Sequence, residues 1–253
     1  MKERRYIADT TLYHFGKHMD RDERINTAGM LDQIGINEIA VRVSSLSEFE
    51  ALRDSVKNAS VIVCVGMEPK GLSDIIRYGA RAIHFEIPAS YPLIYTVYGK
   101  NKDWVRRTIL ECKEILQNSE ITVSVGLVDA SRAEPSFIEN LVGLVSGMTI
   151  SRLCIKDSLG VQPLSSCAAL IKEVRELGYN VGYEGLDQLG MAVPNTIQAL
   201  KSGASYACCS IAGIGGGCNM NNLLHTANRL FSFDVDRKGA DELEKYFRKM
   251  YGL

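Results

Sequence analysis

The sequence carries almost no net charge: 29 Lys and Arg against 30 Asp and Glu leave −1 at neutral pH. A broad nucleic-acid-binding face needs a basic excess, so nucleic acid is not an expected partner. No apolar run approaches the roughly 20 residues that span a bilayer, and no apolar stretch follows the charged start Met1-Lys2-Glu3-Arg4-Arg5-Tyr6. Neither a membrane segment nor a secretory leader is expected, and the cytoplasm is the expected compartment. The seven cysteines include no CxxC pair, which removes the common zinc and thioredoxin-like motifs. Their odd number and scattered spacing read as reduced thiols. Cys208 and Cys209 are adjacent in a strand-like run, so their side chains are expected on opposite faces, as packing rather than as a redox pair. Also missing are Gly/Ser- or Pro-rich linkers and low-complexity segments, so residues 1–253 are expected to form one domain.

What is present is an alternation. Short β-rich runs at 6–9, 38–43, 60–66, 82–87, 121–126, 152–156, 180–183 and 206–210 are separated by amphipathic segments. Several runs are nearly continuous in Val, Ile and Cys, as in parallel strands buried on both faces. Helices are predicted at 21–33, 46–57, 103–117, 135–145, 164–177 and 191–201. In 103–117, Val105, Ile109, Cys112 and Leu116 recur every three to four residues and make one buried stripe. Eight such units in about 250 residues predict an α/β (β/α)8 TIM barrel. A doubly wound open sheet is the rival, but its GxGxxG turn is missing after the first run. Two terminal helices, 222–231 and 239–251, are predicted after the eighth unit.

A barrel places its chemistry at the C-terminal ends of its strands. The residues there are Asp9, Thr10, Thr11, Tyr13, His14, Arg42, Glu68, Glu86, Val128, Asp129, Lys156, Asp157, Glu184 and the run Gly213-Ile214-Gly215-Gly216-Gly217. The glycine run precedes a helix and is suited either to holding a phosphate or to a tight turn. His14 and His18 stand at a metal-ligand spacing, yet no Glu follows His14, so both read as loop histidines. The aromatic segment 91–98 reads as a loop beside the mouth, and 237–249 as a solvated charged face.

Several segments, in order, resemble the family that includes homocitrate synthase, isopropylmalate synthase and hydroxymethylglutaryl-CoA lyase. Asp9-Thr10-Thr11-Leu12 matches the start of that family's DTTLRDGEQ. Ser124-Val-Gly-Leu-Val-Asp-Ala-Ser-Arg132 resembles SVGAEDASR, and Lys156-Asp-Ser-Leu-Gly160 resembles ADTVG. Asp187-Gln-Leu-Gly-Met-Ala-Val-Pro-Asn195 resembles the tail of HAHDDLGLATAN, and Gly213-Ile-Gly215 the start of GLGERAGN. Ser90, Gly99-Lys100 and Trp104 add a likeness to the nitrogen-fixation type of homocitrate synthase.

The resemblance implies a Claisen condensation of acetyl-CoA with a 2-oxo acid at a site that uses a divalent cation, Mg2+, Mn2+ or Zn2+. It also implies where this chain departs. The family Arg after DTTL is Tyr13, and the ligand Asp is His14. The second-strand Glu and Gly are Ala40 and Arg42, and the Glu of EDASR is Val128. The two ligand histidines are Glu184 and Leu186, and Asn219 stands in approximate place of the ligand Asn. By this likeness Asp9, Tyr13, Arg42 and Asp157 are the catalytic candidates. Thr11, Ser158, Gly213, Gly215 and Gly216 are candidates for substrate or phosphate. His14, Glu184 and Asn219 are candidates for a metal, if one is bound at all. The family's C-terminal subdomains are expected to be absent. A homo-oligomer, or a hetero-oligomer with a homologous subunit, is expected. An inactive partner of an intact homologue and a phosphate-ligand-binding barrel remain as alternatives.

Overall fold

The structure, a computed structural model, describes residues 2–253. Eight parallel strands close into a barrel: β1 (Tyr6–Asp9), β2 (Glu38–Val41), β3 (Ser60–Val65), β4 (Ala82–Pro88), β5 (Thr122–Val128), β6 (Ile150–Asp157), β7 (Val181–Gly185) and β8 (Tyr206–Cys209). Closure comes from β1 pairing with β8, Ala8 opposite Cys208. Each strand is followed by a helix: Arg21–Gln33, Leu46–Asp54, Pro69–Arg77, Lys102–Leu116, Pro135–Val145, Leu164–Glu176, Ala192–Lys201 and Met220–Ala227. The extra helix Arg237–Tyr251 packs Ala240, Leu243 and Phe247 inward. No helix of the described residues is long and apolar enough to cross a membrane.

Local signals explain where these helices begin. Asp20 and Glu23 form a reciprocal capping box on Arg21–Gln33, Asn101 caps Lys102–Leu116, and prolines open Pro69–Arg77 and Pro135–Val145. Three sequence expectations need correction. His14 and His18, read as loop histidines, lie in the short helical turns Thr11–Phe15 and Gly16–His18. The segment read as an aromatic loop contains the helix Tyr91–Thr96, because Ser90 accepts the Leu93 N–H and Pro92 sits in the first turn. The terminal helix predicted at 222–231 is Met220–Ala227: Asn219 caps it two residues earlier, and Phe231–Ser232 leaves it to pair with Glu3–Arg4.

The strands are buried on both faces, but the faces differ in chemistry. Ile39, Val41, Ile83, Phe85, Val123, Val125, Leu153, Ile155 and Val181 belong to the main apolar core. Their alternates line the barrel interior: Glu38 and Ala40, His84, and Arg152 and Lys156, with Cys154 and Cys208 in contact there. Period-two alternation therefore separates an apolar shell from a polar axis. Cys208 faces the axis and Cys209 the shell.

Most polar groups on the axis are paired, His84 Nε2 and Arg152 Nε being exceptions. Arg152 makes a two-pronged contact with Glu38, one arm at 2.8 Å, and stacks 4.1 Å from the Tyr206 ring centre. Above it, His84 Nδ1 is 2.7 Å from Ser124 Oγ. Gly126 leaves room for that imidazole, since a Cβ there would lie 2.5 Å from His84 Nε2. A cavity of about 20 Å³ opens beside this ring, enough for a single water.

Candidate active site

Four strand ends and the short helix Thr11–Phe15 after β1 converge on one charged cluster. Lys156, near the end of β6, stands on the same strand face as Arg152 and Cys154, and this spacing carries its ammonium up the axis to the mouth. It contacts Glu86 of β4 and lies 3.1 Å from Glu184 Oε2 of β7. The other Glu184 oxygen is 2.8 Å from His14 Nε2. Tyr13 donates its hydroxyl to Glu86 at 2.7 Å and presents its ring 4.9 Å from Lys156 Nζ. On the outer side Arg42 stacks over the same ring at 4.4 Å and donates to the Tyr13 hydroxyl at 2.8 Å. A cleft of about 290 Å³ opens over this cluster, with Asp157, Ser158 and Leu186 also on its wall.

The charges are unequal in access. Lys156, Glu86 and Glu184 are buried or nearly so, whereas the Arg42 side chain is 65% exposed. Burial alone would raise the carboxyl of Glu184, but the Lys156 ammonium and the His14 hydrogen bond outweigh it and hold that carboxyl well below its ordinary range. The same balance, burial opposed by Lys156, lowers Glu86. Burial works against the Lys156 ammonium, yet Glu184 and Glu86 overcome it and raise the group well above the usual lysine value. Burial raises the Tyr13 hydroxyl, keeping it a hydrogen-bond donor. Burial, with Lys156 nearby, lowers His84 to about 4.

The other candidates are placed differently. Asp9 is fully buried and accepts from the Thr11 N–H at 2.9 Å and the Thr11 hydroxyl at 3.0 Å. Burial raises its pKa to about 7, against the pull of those two bonds. Thr11 also accepts from the Ile211 N–H, so its hydroxyl is used within the fold. Asp157 accepts from the Ser131 hydroxyl and the Gln162 N–H, and only the edge of this residue reaches the cleft. Ser158 accepts from the Asp129 N–H. Asp129, at φ 64, is the hub of its turn, taking bonds from Ser90 and Arg132. Of the glycine run, Gly213 donates to Ser210 O, and Gly216 O accepts from Asp187 N–H. Gly215, at φ +79, lies so close to His14 that a Cβ would sit 2.5 Å from the His14 Cβ. Asn219 caps Met220–Ala227 through Asn222 N–H and donates to Glu244 at 3.3 Å. The structure thus brings Tyr13, His14, Arg42 and Glu184 together. Asp9 and Asn219 are engaged outside that cluster.

Comparison with known proteins agrees with this architecture. The profile of the HMGL-like family matches residues 6–244. The chain belongs to the HMGL-like family. It is 24% identical to the homocitrate synthase subunit alpha of Clostridium pasteurianum, covering 96% of this chain and 97% of that protein. It is 25% identical to the homocitrate synthase of Frankia alni, over 85% of this chain and 64% of that one. Against the (R)-citramalate synthase of Methanocaldococcus jannaschii the identity is 24%, over 92% of this chain and half of the relative. Among solved structures, hydroxymethylglutaryl-CoA lyase from Pseudomonas aeruginosa superposes with a TM-score of 0.85 at 13% identity, covering 100% of this chain and 95% of that one. The N-terminal domain of a putative aldolase from Bacteroides vulgatus gives 0.73 at 20% identity, over 98% of this chain and 88% of that one. These two likenesses establish the fold.

The family resemblance implies a divalent cation, and the donor set can be tested against it. Cys154 Sγ, Cys208 Sγ and a Glu184 oxygen lie within 4.8 Å of one another, a spacing compatible with ligation. Glu184, however, already serves the Lys156 ammonium and His14. The Cys208 thiol is hydrogen-bonded to Cys154 and buried, which raises it well above its usual value and disfavours the thiolate a metal requires. Leu186 offers no donor, and Asn219 is occupied as a cap. The residues present therefore do not fit a divalent ion in an HMGL-like mouth.

Lys156 and Glu86 stood among the strand-end residues in the sequence without an assigned role. The signal was available: a lysine two and four residues beyond Cys154 and Arg152 on a barrel strand points to the axis, and a buried ammonium must be paired.

Proposed function

We propose that this chain is a homocitrate-synthase-like subunit that binds a 2-oxo acid at the barrel mouth and serves acyl-CoA condensation together with a second chain. The observation that carries this reading is the bracketing of Lys156 by Glu86 and Glu184 in a cleft that the exposed Arg42 also lines. A 2-oxo acid brings a carboxylate and a polarised carbonyl. Arg42 is the accessible guanidinium, and its planar fork suits a carboxylate. Lys156 lies deeper, where a charged donor would stabilise negative charge growing on the carbonyl oxygen.

Condensation also needs a base. The base takes a proton from the thioester methyl, the freed electron pair forms the new C–C bond at the acceptor carbonyl carbon, and that oxygen becomes an alkoxide and takes up a proton. Water then cleaves the thioester C–S bond, leaving the carboxylate and free CoA. An efficient base has a pKa near the working pH. Glu86 and Glu184 are both held below their ordinary range by Lys156, which makes them weak bases. Asp9, at about 7, is fully buried and bonded to Thr11. The mouth is thus better equipped to hold the acceptor than to enolise the donor. A relative of matching length carries the name of a subunit, which supports an assembly with a second chain.

The test is calorimetric titration of the isolated chain with 2-oxoglutarate, followed by a CoA-release assay with acetyl-CoA. The assay is run on the chain alone and with a family member from the same genome that carries both ligand histidines. Binding by the isolated chain, with CoA release only in the mixture, is the expected pattern. Full turnover by the chain alone would sink the two-chain reading, and failure of any 2-oxo acid to bind would sink the assignment of the mouth.

A further inference from the structure

We infer that the ammonium of Lys156 occupies the position of the mouth's cation, so that this HMGL-like site works with a built-in monovalent charge and excludes a divalent metal. The inference rests on the proposed mouth only for its use. Its structural content stands on the contacts themselves.

Lys156 has the surroundings of a bound cation. Carboxylates from β4 and β7 flank it, and the face of Tyr13 closes a third side at 4.9 Å. The oxygens a metal would use are already committed. Glu184 gives one to His14 and one to Lys156, while Glu86 serves Tyr13 and Lys156 and has Arg42 at 4.0 Å. A divalent ion entering between them would meet a fixed positive charge within contact distance, in a site too buried for water to screen it. The ammonium cannot step aside easily, because its stem runs up the closed axis with 7% of the side chain exposed.

The substitution changes the chemistry available. A divalent ion accepts a carbonyl oxygen and a carboxylate oxygen of the same substrate at once. An ammonium offers hydrogen bonds from a single point and cannot chelate. In this mouth the second anchoring point falls to Arg42, which holds its position by stacking on Tyr13. The site therefore suits an acid whose carboxylate and oxo oxygen can be held by two separate cations. Its affinity for such an acid should not respond to chelators.

The experiment uses Mn2+ as the probe, followed by electron paramagnetic resonance and thermal shift on the whole chain. Wild type is expected to bind no Mn2+ at the mouth, and its 2-oxoglutarate titration should be unchanged by EDTA. Lys156→Ala leaves Glu86, Glu184 and His14 facing a vacated space, and should gain one Mn2+ per chain with a rise in melting temperature. Lys156→Ala/Glu184→Gln should lose it again. If Lys156→Ala does not fold in metal-free buffer, refolding with and without Mn2+ gives the same readout, and rescue by Mn2+ alone supports the inference. Stoichiometric Mn2+ on wild type that disappears in Glu184→Gln overturns it. So does a folded Lys156→Ala that binds no more Mn2+ than wild type. Neither result depends on CoA release, so failure of the functional proposal is distinguishable from failure of this one.

Discussion

Replacing Lys156 with methionine removes the charge while keeping most of the apolar stem. Two carboxylates, on side chains 14% and 9% exposed, then face each other across the axis without their common counter-ion. Removing one member of a buried ion pair costs about 3–5 kcal/mol, because the partner is left charged and unsolvated. For a domain of this size each kcal/mol moves the melting temperature by roughly 2–4 °C, so a drop on the order of 6–20 °C is expected. The pH dependence supplies the diagnostic. In wild type the two carboxyls titrate below their unfolded value of 4.5, so their contribution is complete above that value and is lost as pH falls through the lower folded values. In Lys156→Met the stranded carboxyls titrate upward instead and take up protons as the solution is acidified. The gap between variant and wild type should therefore be widest near pH 8 and narrow towards pH 5. Urea and thermal midpoints at both pH values measure it. A loss below about 1 kcal/mol, or a gap that does not change with pH, would refute the view that one ammonium is the shared counter-ion of both glutamates.

Further outcomes follow from the axis and the residues around it. His84, lowered to about 4, should stay neutral in imidazole NMR spectra down to about pH 5; stability it contributes is complete above 6.5 and falls as pH drops towards 4. Asp9 is raised from 3.8 to about 7, so the folded state holds a proton that the unfolded state releases, and stability declines as pH climbs through that window; Asp9→Asn should flatten this part of the melting-temperature profile. Gly126→Ala places a methyl 2.5 Å from His84 Nε2 and Gly215→Ala one 2.5 Å from the His14 Cβ, so each should lower the unfolding free energy measured by urea titration by about 1–3 kcal/mol, the second with added left-handed backbone strain.

The barrel was legible because its signal is repeated. Eight apolar runs separated by amphipathic stripes leave few other solutions, and the strand positions shift only at their ends. β5 and β6 reach Val128 and Asp157, and β7 carries Glu184 inside the strand. Pairings between distant residues were not legible. Nothing near Phe231 announces that it will meet Glu3, and nothing local to Lys156 says that Glu86 and Glu184 lie beside it. The likeness to ligand motifs also drew Asn219 towards the mouth, whereas its position immediately before a helix makes it a cap. Asp9 shows the converse. A motif residue can match its family and still spend both oxygens on the turn that follows it.

The separation of shell from axis has a consequence for how this molecule can be altered. Apolar packing between sheet and helices holds the barrel together, and the residues along its centre take no part in that packing. On that central column Glu38 pairs with Arg152, and Glu86 and Glu184 share Lys156, with Arg42 at the outer rim. Charge can therefore be exchanged down the middle together with its partners while the surrounding wall keeps its shape. The scaffold behaves like a sleeve whose lining can be replaced one charge cluster at a time.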